Sequence, residues 1–452
     1  MMLGAPVLPT LLKLTFPVIA VVVAQTFVAI LEAYWVSRLG TEAVAGVSLV
    51  LPILILMGTM SNGGIGGGVS SAVARAIGAA RQADADALVL HTVVVALAFG
   101  LVFTLGTIFL GARIYSYLGG HGQTLDCALT YSAWVFGGAP LIWTVNLLAS
   151  AMRGAGEVRI PAIVSSVGAG VLIPLSPILI FGLGPFPRLG VGGAGAATLI
   201  FYVVGLAVYL RHLLHGQGAL RLHLLPLRLH HFRSILGVGI LSAIGTLVAS
   251  LTVVGVTGAV GTQGTAALAG YGIASRIDSL LVPLLFSVGT GVVTLIGVAT
   301  GAGNISRGNH IARIACTIAF VATQSVGVLL AAFPSWWVGL FSTDPSVLIA
   351  GSTYLRVVAP SYGFFGVGLM LYFASQGRSK MLWPFVAGSL TLAVTVAGAA
   401  WLASSGASLA LIVAPVAAGS VVFGLTNAMG FFSNAKRPAM RGAAASTAPN
   451  AS

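Results

Sequence analysis

Few residues in this chain can do chemistry, and Glu32 is the foremost of them. Leu14 to Leu31 contains no charge and leads directly into that carboxylate. An apolar run of about 18 or more residues reads as a membrane span, where an acid costs free energy unless it faces a polar cavity or takes up a proton. Reversible proton uptake is therefore the chemistry expected of Glu32. Gln25 lies seven residues earlier, on nearly the same helical face, so the two suggest a polar stripe lining a cavity. The other charges well inside spans are Asp278 with Arg276, and Arg356 in a later segment. Residues two apart on a helix do not face each other, so Arg276 is a poor partner for Asp278. Asp278 and Arg356 each fall about 11–14 residues from the outer end of their spans, at 1.5 Å per residue, so an ion pair between them is expected. The alternative is a second substrate or proton contact. Tyr34, Tyr131, Trp143 and Tyr362 could hold a cation on their ring faces, although aromatics near span ends are more often interfacial anchors. Asn62 reads as a helix–helix hydrogen bond or a cavity-lining amide.

The elements that must position these residues follow from composition. Of 452 residues, 58% are hydrophobic and 6% charged, and the mean hydropathy is +1.04. Soluble domains carry roughly 25% charged residues, so this chain cannot cover a water-facing surface. Its apolar runs are too long for the strands of a transmembrane barrel, which leaves helices. The net charge of +13 is spread over span ends rather than gathered in one aromatic-studded patch, so nucleic acid is not an expected partner. Cys127 and Cys316 lie far apart and form neither a metal spacing nor a disulfide framework.

Twelve spans are predicted, at 10–36, 43–74, 87–112, 126–152, 158–184, 189–210, 234–259, 264–302, 309–332, 345–376, 380–403 and 407–433. The fold class is thus all-α and polytopic. Joints on one side carry most of the arginines, whereas the other side has only Arg38, Arg113 and Arg188. This asymmetry places both termini in the cytoplasm of a plasma or inner membrane. The organisation expected is a lobe over 1–210, a basic cytoplasmic linker over 211–233, a second lobe over 234–435 and a disordered tail over 436–452. The linker holds His212, His215, His223, His230 and His231, with no Cys or carboxylate to join them. It reads as a basic segment against anionic headgroups rather than a metal site.

The halves echo each other. Gly40-Thr41 matches Gly261-Thr262, Gly78-Ala79 matches Gly301-Ala302, and Gly154 and Pro161 match Gly377 and Pro384, at offsets of 221 to 223 residues. Six spans per half in one orientation means parallel repeats, an arrangement that secondary transporters use to rock two lobes about a central site.

Those motifs also resemble the multidrug and toxic compound extrusion (MATE) transporters over nearly the whole chain. The first helix reads Pro17, Gln25, then Glu32 through Gly40. Met152 to Pro161 resembles the family's joint between the fourth and fifth helices. Ile178 to Gly182 and Leu189 to Thr198 resemble its fifth and sixth helices. The resemblance implies a V-shaped pair of six-helix lobes and efflux coupled to H⁺ or Na⁺, with bending of the first helix at Pro17. It also implies a cation site at Glu32, Leu172 and Ser176, where the family commonly has Asp, Asn and Asp. Thr198 and Gln25 could add oxygens. One carboxylate with sparse neutral oxygens is a poor sodium cage, so proton coupling is expected, with Glu32 as carrier. The expected function is export of amphipathic or cationic small molecules by a monomer, without cofactor or metal. A lipid or polysaccharide-precursor flippase is the first alternative, although only Arg276 and Arg356 lie well inside spans to meet phosphate. A membrane-embedded enzyme is the second, and lacks a catalytic cluster inside the spans.

Overall fold

Long apolar runs in this chain fold into helices because lipid leaves no other partner for the backbone amides. The computed structural model describes residues 3–433 apart from 217 and 224, so the expected tail at 436–452 lies outside the described residues. In chain order the helices are α1 (Val7–Ser37), α2 (Thr41–Thr59), α3 (Ile65–Gly78), α4 (Gln82–Tyr117), α5 (Gly122–Gly137), α6 (Ala139–Gly154), α7 (Arg159–Phe181), α8 (Val191–Leu214) and α9 (Leu229–Gly261). They continue with α10 (Thr265–Ala274), α11 (Arg276–Gly301), α12 (Ile305–Ala332), α13 (Pro334–Gly339), α14 (Pro345–Val358), α15 (Tyr362–Gly377), α16 (Leu382–Leu392), α17 (Gly398–Ser404) and α18 (Leu409–Ser433). Among the described residues, eleven helical stretches are long and apolar enough to cross a membrane, or twelve if α5 with α6, bent by 49°, is one span. Each predicted span therefore coincides with a helix, an interrupted helix or the bent pair.

Interruptions within spans have local causes. Between α2 and α3 the chain widens into a π-helical turn, Met60–Gly64, where Asn62 donates back to the Gly58 carbonyl at 3.2 Å. Between α14 and α15, Pro360 has no amide hydrogen, and the chain passes through a 3₁₀ turn at Ala359–Ser361. Between α10 and α11 the backbone breaks at Ser275.

The chain forms two compact units. The first comprises residues 1–247, 279–303 and 376–380, and the second comprises 248–278, 304–375 and 381–452. Within the first unit the repeat glycines meet carbonyls. A Cβ on Gly78 would lie 2.1 Å from the Val298 oxygen, and one on Gly301 would lie 2.1 Å from the Arg75 oxygen. One on Gly154 would press on Ser70, and one on Gly377 on Val293. Ser70 and Val293 are themselves a repeat offset apart. The small-residue motifs thus mark backbone-to-backbone crossings that both halves reuse.

The described residues between α8 and α9 are tied to the first unit. The backbone amide of Arg221 donates to Asp86 Oδ1 at 2.9 Å, and that of Arg228 donates to His91 Nε2 at 2.9 Å. The amide of Ala219 donates to Glu157, and Gln82 Nε2 donates to the Ala219 carbonyl at 2.7 Å. Leu220 is fully buried in the core of the first unit. These contacts make the linker a strap tied to the start of α4 and to the turn before α7. The loop itself is also shorter than expected, since α8 runs to Leu214 and α9 starts at Leu229.

Candidate functional site

Glu32 projects from α1 in the first unit and is half-buried. The Thr198 hydroxyl on α8 reaches its Oε1 at 3.4 Å, a long hydrogen bond, while also donating to Ala194 one turn back at 3.0 Å. Tyr131 on α5 and Tyr202 on α8 stand close enough for their hydroxyls to feel the carboxylate electrostatically. Tyr202 also reaches the Asn146 amide on α6, which donates to Ser61 at 3.0 Å. Among the described residues no cation pairs with Glu32.

Other expected members of this group fare differently. Tyr131 is buried beside Glu32, whereas Tyr34 is exposed and carries Arg38, whose guanidinium donates to its hydroxyl at 2.6 Å. Trp143 is wholly buried and stacks on Phe99 with centroids 5.2 Å apart, so it is a core residue rather than a cavity wall. Gln25 is exposed. Ser176 is buried with its hydroxyl unpartnered, and Leu172 packs in an apolar cluster with Val28, Leu179 and Ala197. Pro17 lies within α1, which continues as one helix past it. Tyr202 and Asn146 were missed by sequence reasoning. Tyr202 follows Thr198 by one helical turn, and that spacing was the available signal.

A second acidic pocket lies in the second unit. Asp278 occupies the first turn of α11, its amide bonded to the Ser275 carbonyl at 3.0 Å. Tyr271, Tyr354 and Tyr362 surround it, with Tyr271 and Tyr354 in edge contact at 5.2 Å. The expected pair with Arg356 does not form: among the described residues neither Asp278, Arg276 nor Arg356 makes an ion pair. Arg356 is exposed, and Arg276 lies 4.9 Å above the Phe341 ring. Rise along a helix fixes depth only; the direction in which a side chain points depends on rotation about the axis. Tyr362, expected as a substrate candidate, belongs to this pocket.

The comparisons bear directly on this arrangement. The MatE family model matches residues 17–178 and again 239–402, two copies offset by one repeat. This chain belongs to the MATE family. Curated relatives include the FAD transporter of Shewanella oneidensis, 27% identical over 83% of this chain and 82% of that protein. They also include the probable multidrug resistance protein NorM of Thermotoga maritima, 24% identical over 83% and 81% of the two chains, and the multidrug export protein MepA of Staphylococcus aureus, 25% identical over 86% and 87%. Among solved structures, a MATE protein in the straight conformation aligns with a TM-score of 0.86 at 23% identity, covering 96% of this chain and 98% of that one. A bent conformation aligns equally well, at 24% identity and 94% of each chain. MATE members are transporters, and this chain is accordingly a multi-pass membrane transporter rather than an enzyme.

Proposed function

We propose that this MATE transporter exports amphipathic or cationic small molecules in exchange for protons, with Glu32 as the proton carrier. The observation that carries this reading is the setting of Glu32: half-buried, held by one long hydroxyl bond from Thr198, flanked by two tyrosines and unpaired with any cation among the described residues. Such a carboxylate exchanges between bound cation and proton without breaking a strong pair, because burial disfavours its charged form. The sparse oxygens argue against sodium, a hard cation needing several ligands: Leu172 offers none, and Ser176 offers a single hydroxyl. Once neutral, Glu32 can move with its lobe without carrying charge across the bilayer, and Pro17 supplies a missing hydrogen bond at which α1 can bend. Related MATE structures described as straight and bent fit this cycle.

In this reading both termini and the strap lie in the cytoplasm of the inner membrane. The deciding experiment is efflux from reconstituted vesicles under separately imposed gradients. Transport should follow a proton gradient and ignore a sodium gradient at fixed pH; sodium-driven efflux with the proton gradient collapsed overturns the reading. A His223→Cys variant should react with an impermeant thiol reagent only after cells are opened.

A second reading, an anionic cargo, draws on the unpaired Arg356 and on the name of the Shewanella relative. Offering FAD and a cationic dye to the same vesicles separates the two.

A further inference from the structure

The strap ends in a cluster that proton-coupled transport leaves unexplained. Asp84 in the first turn of α4, and His230 and His231 in the first turn of α9, each direct one ligand atom into a common space. The three atoms lie within 4.8 Å of one another. His231 is buried, with Nε2 4.0 Å from Asp84 Oδ1. Arg81 takes the other carboxylate oxygen at 3.2 Å and leaves Oδ1 turned to the histidines. Successive residues on a helix do not normally face each other. Here the His231 amide bonds to Arg228, three residues back, at 3.1 Å, and this tight first turn brings the two rings to 3.8 Å.

His91 supports the cluster without joining it. Its Nδ1 lies 2.7 Å from the Ala87 carbonyl, which can only accept, so Nδ1 carries the hydrogen. Nε2 then accepts from the Arg228 amide. Both nitrogens are occupied and the ring is neutral, packed edge-on to His231 at 4.7 Å.

Two imidazoles and a carboxylate form the donor set of an open zinc site, whose fourth position takes water. The nitrogen-rich set suits first-row divalent ions and is poor in the oxygens that calcium and magnesium require. Metal–ligand bonds of about 2.0–2.2 Å bring tetrahedral donors to about 3.3 Å apart. Closing the space to that size requires the exposed His230 ring to swing inward and His231 and Asp84, 4.0 Å apart, to draw closer. Arg81 on the carboxylate and His91 against His231 are the kind of outer partners that orient metal ligands.

We propose that Asp84, His230 and His231 bind a divalent transition-metal ion that staples the start of α9 to the start of α4. The test uses full-length protein purified without a polyhistidine tag, with Cys127 and Cys316 replaced by serine to remove thiol binding. Zinc is titrated calorimetrically, and cobalt is followed by its visible absorption. One ion per chain should bind, with a tetrahedral cobalt spectrum. His230→Ala, which alters an exposed side chain, and Asp84→Asn should each weaken binding about tenfold or more, the lower end of what even outer-partner changes cost. Zinc should raise the melting temperature of the parent and not that of His230→Ala. A His215→Ala/His223→Ala variant should bind as the parent does. Absence of saturable one-to-one binding, unchanged affinity in His230→Ala, or loss of binding in the His215→Ala/His223→Ala variant would each overturn the assignment.

Discussion

Glu32 and Asp278 are both carboxylates set among tyrosines within long apolar helices, yet they sit at different points of their helices. Asp278 stands in the first turn of α11, just after the break at Ser275. Glu32 stands more than a turn before the end of α1, where the Thr198 hydroxyl reaches it at 3.4 Å. The repeat sharpens the contrast. Tyr131 and Tyr354 are 223 residues apart and each lies by an acid, but the acids are not repeat mates. The position matching Glu32 falls in Val253-Val254-Gly255, and that matching Asp278 falls in Ile55-Leu56-Met57. The two halves keep the aromatic and relocate the charge. One duplicated scaffold can therefore carry its acid at a different place in each half.

The largest effect should come from removing the acid proposed as the proton carrier. Glu32→Gln should fold normally and lose proton-driven efflux to background, while Glu32→Asp keeps part of it; full efflux by Glu32→Gln in vesicles would erase the distinction between the pockets. Asp278→Asn should leave proton coupling intact and weaken binding of a cationic substrate by about 1.5–3 kcal/mol, the worth of a hydrogen bond to a charged group. Equilibrium binding of a fluorescent cation measures this, and loss of coupling instead would make the acids equivalent.

Where the halves share backbone crossings they should respond alike. Gly78→Ala and Gly301→Ala each force a methyl onto a carbonyl oxygen and should cost about 1–3 kcal/mol in thermal unfolding, as overpacking does. Gly106→Ala, with open space around it, should not destabilise. Unequal costs at the two repeat glycines would show that the duplication no longer governs packing. The smallest effect belongs to Arg356→Gln. With no ion pair to lose, its folded yield should change by no more than about 0.5 kcal/mol would produce, the range for surface substitutions.

Much of this molecule is legible in the sequence because lipid imposes a simple rule on long segments. The spans follow from unbroken apolar runs, the repeat from its glycine motifs, and the presence of an acid inside the first span from a lone charge among aliphatic residues. Rotation about a helix axis is not written in the same way. Asp278 and Arg356 share a depth, but a break at Ser275 and a 3₁₀ turn after Val358 decide where they point. Trp143 shows the parallel difficulty for aromatics, since composition cannot separate a cavity wall from a core residue stacked on Phe99. Asp84 and His231 lie far apart in the chain, and only tertiary packing brings the carboxylate to the histidines.

The strap is gripped chiefly through its own peptide groups: Ala219, Arg221 and Arg228 offer amides, and the fixed body answers with Glu157, Asp86 and His91. A tether recognised by its main chain is indifferent to most of its lettering but strict about its span, since each amide must arrive at its acceptor. Apart from buried Leu220 and the glycines Gly216 and Gly218, where a side chain would be strained or would press on Glu157, this segment should accept wide changes of residue type while tolerating few insertions or deletions, behaving as a ruler rather than a message.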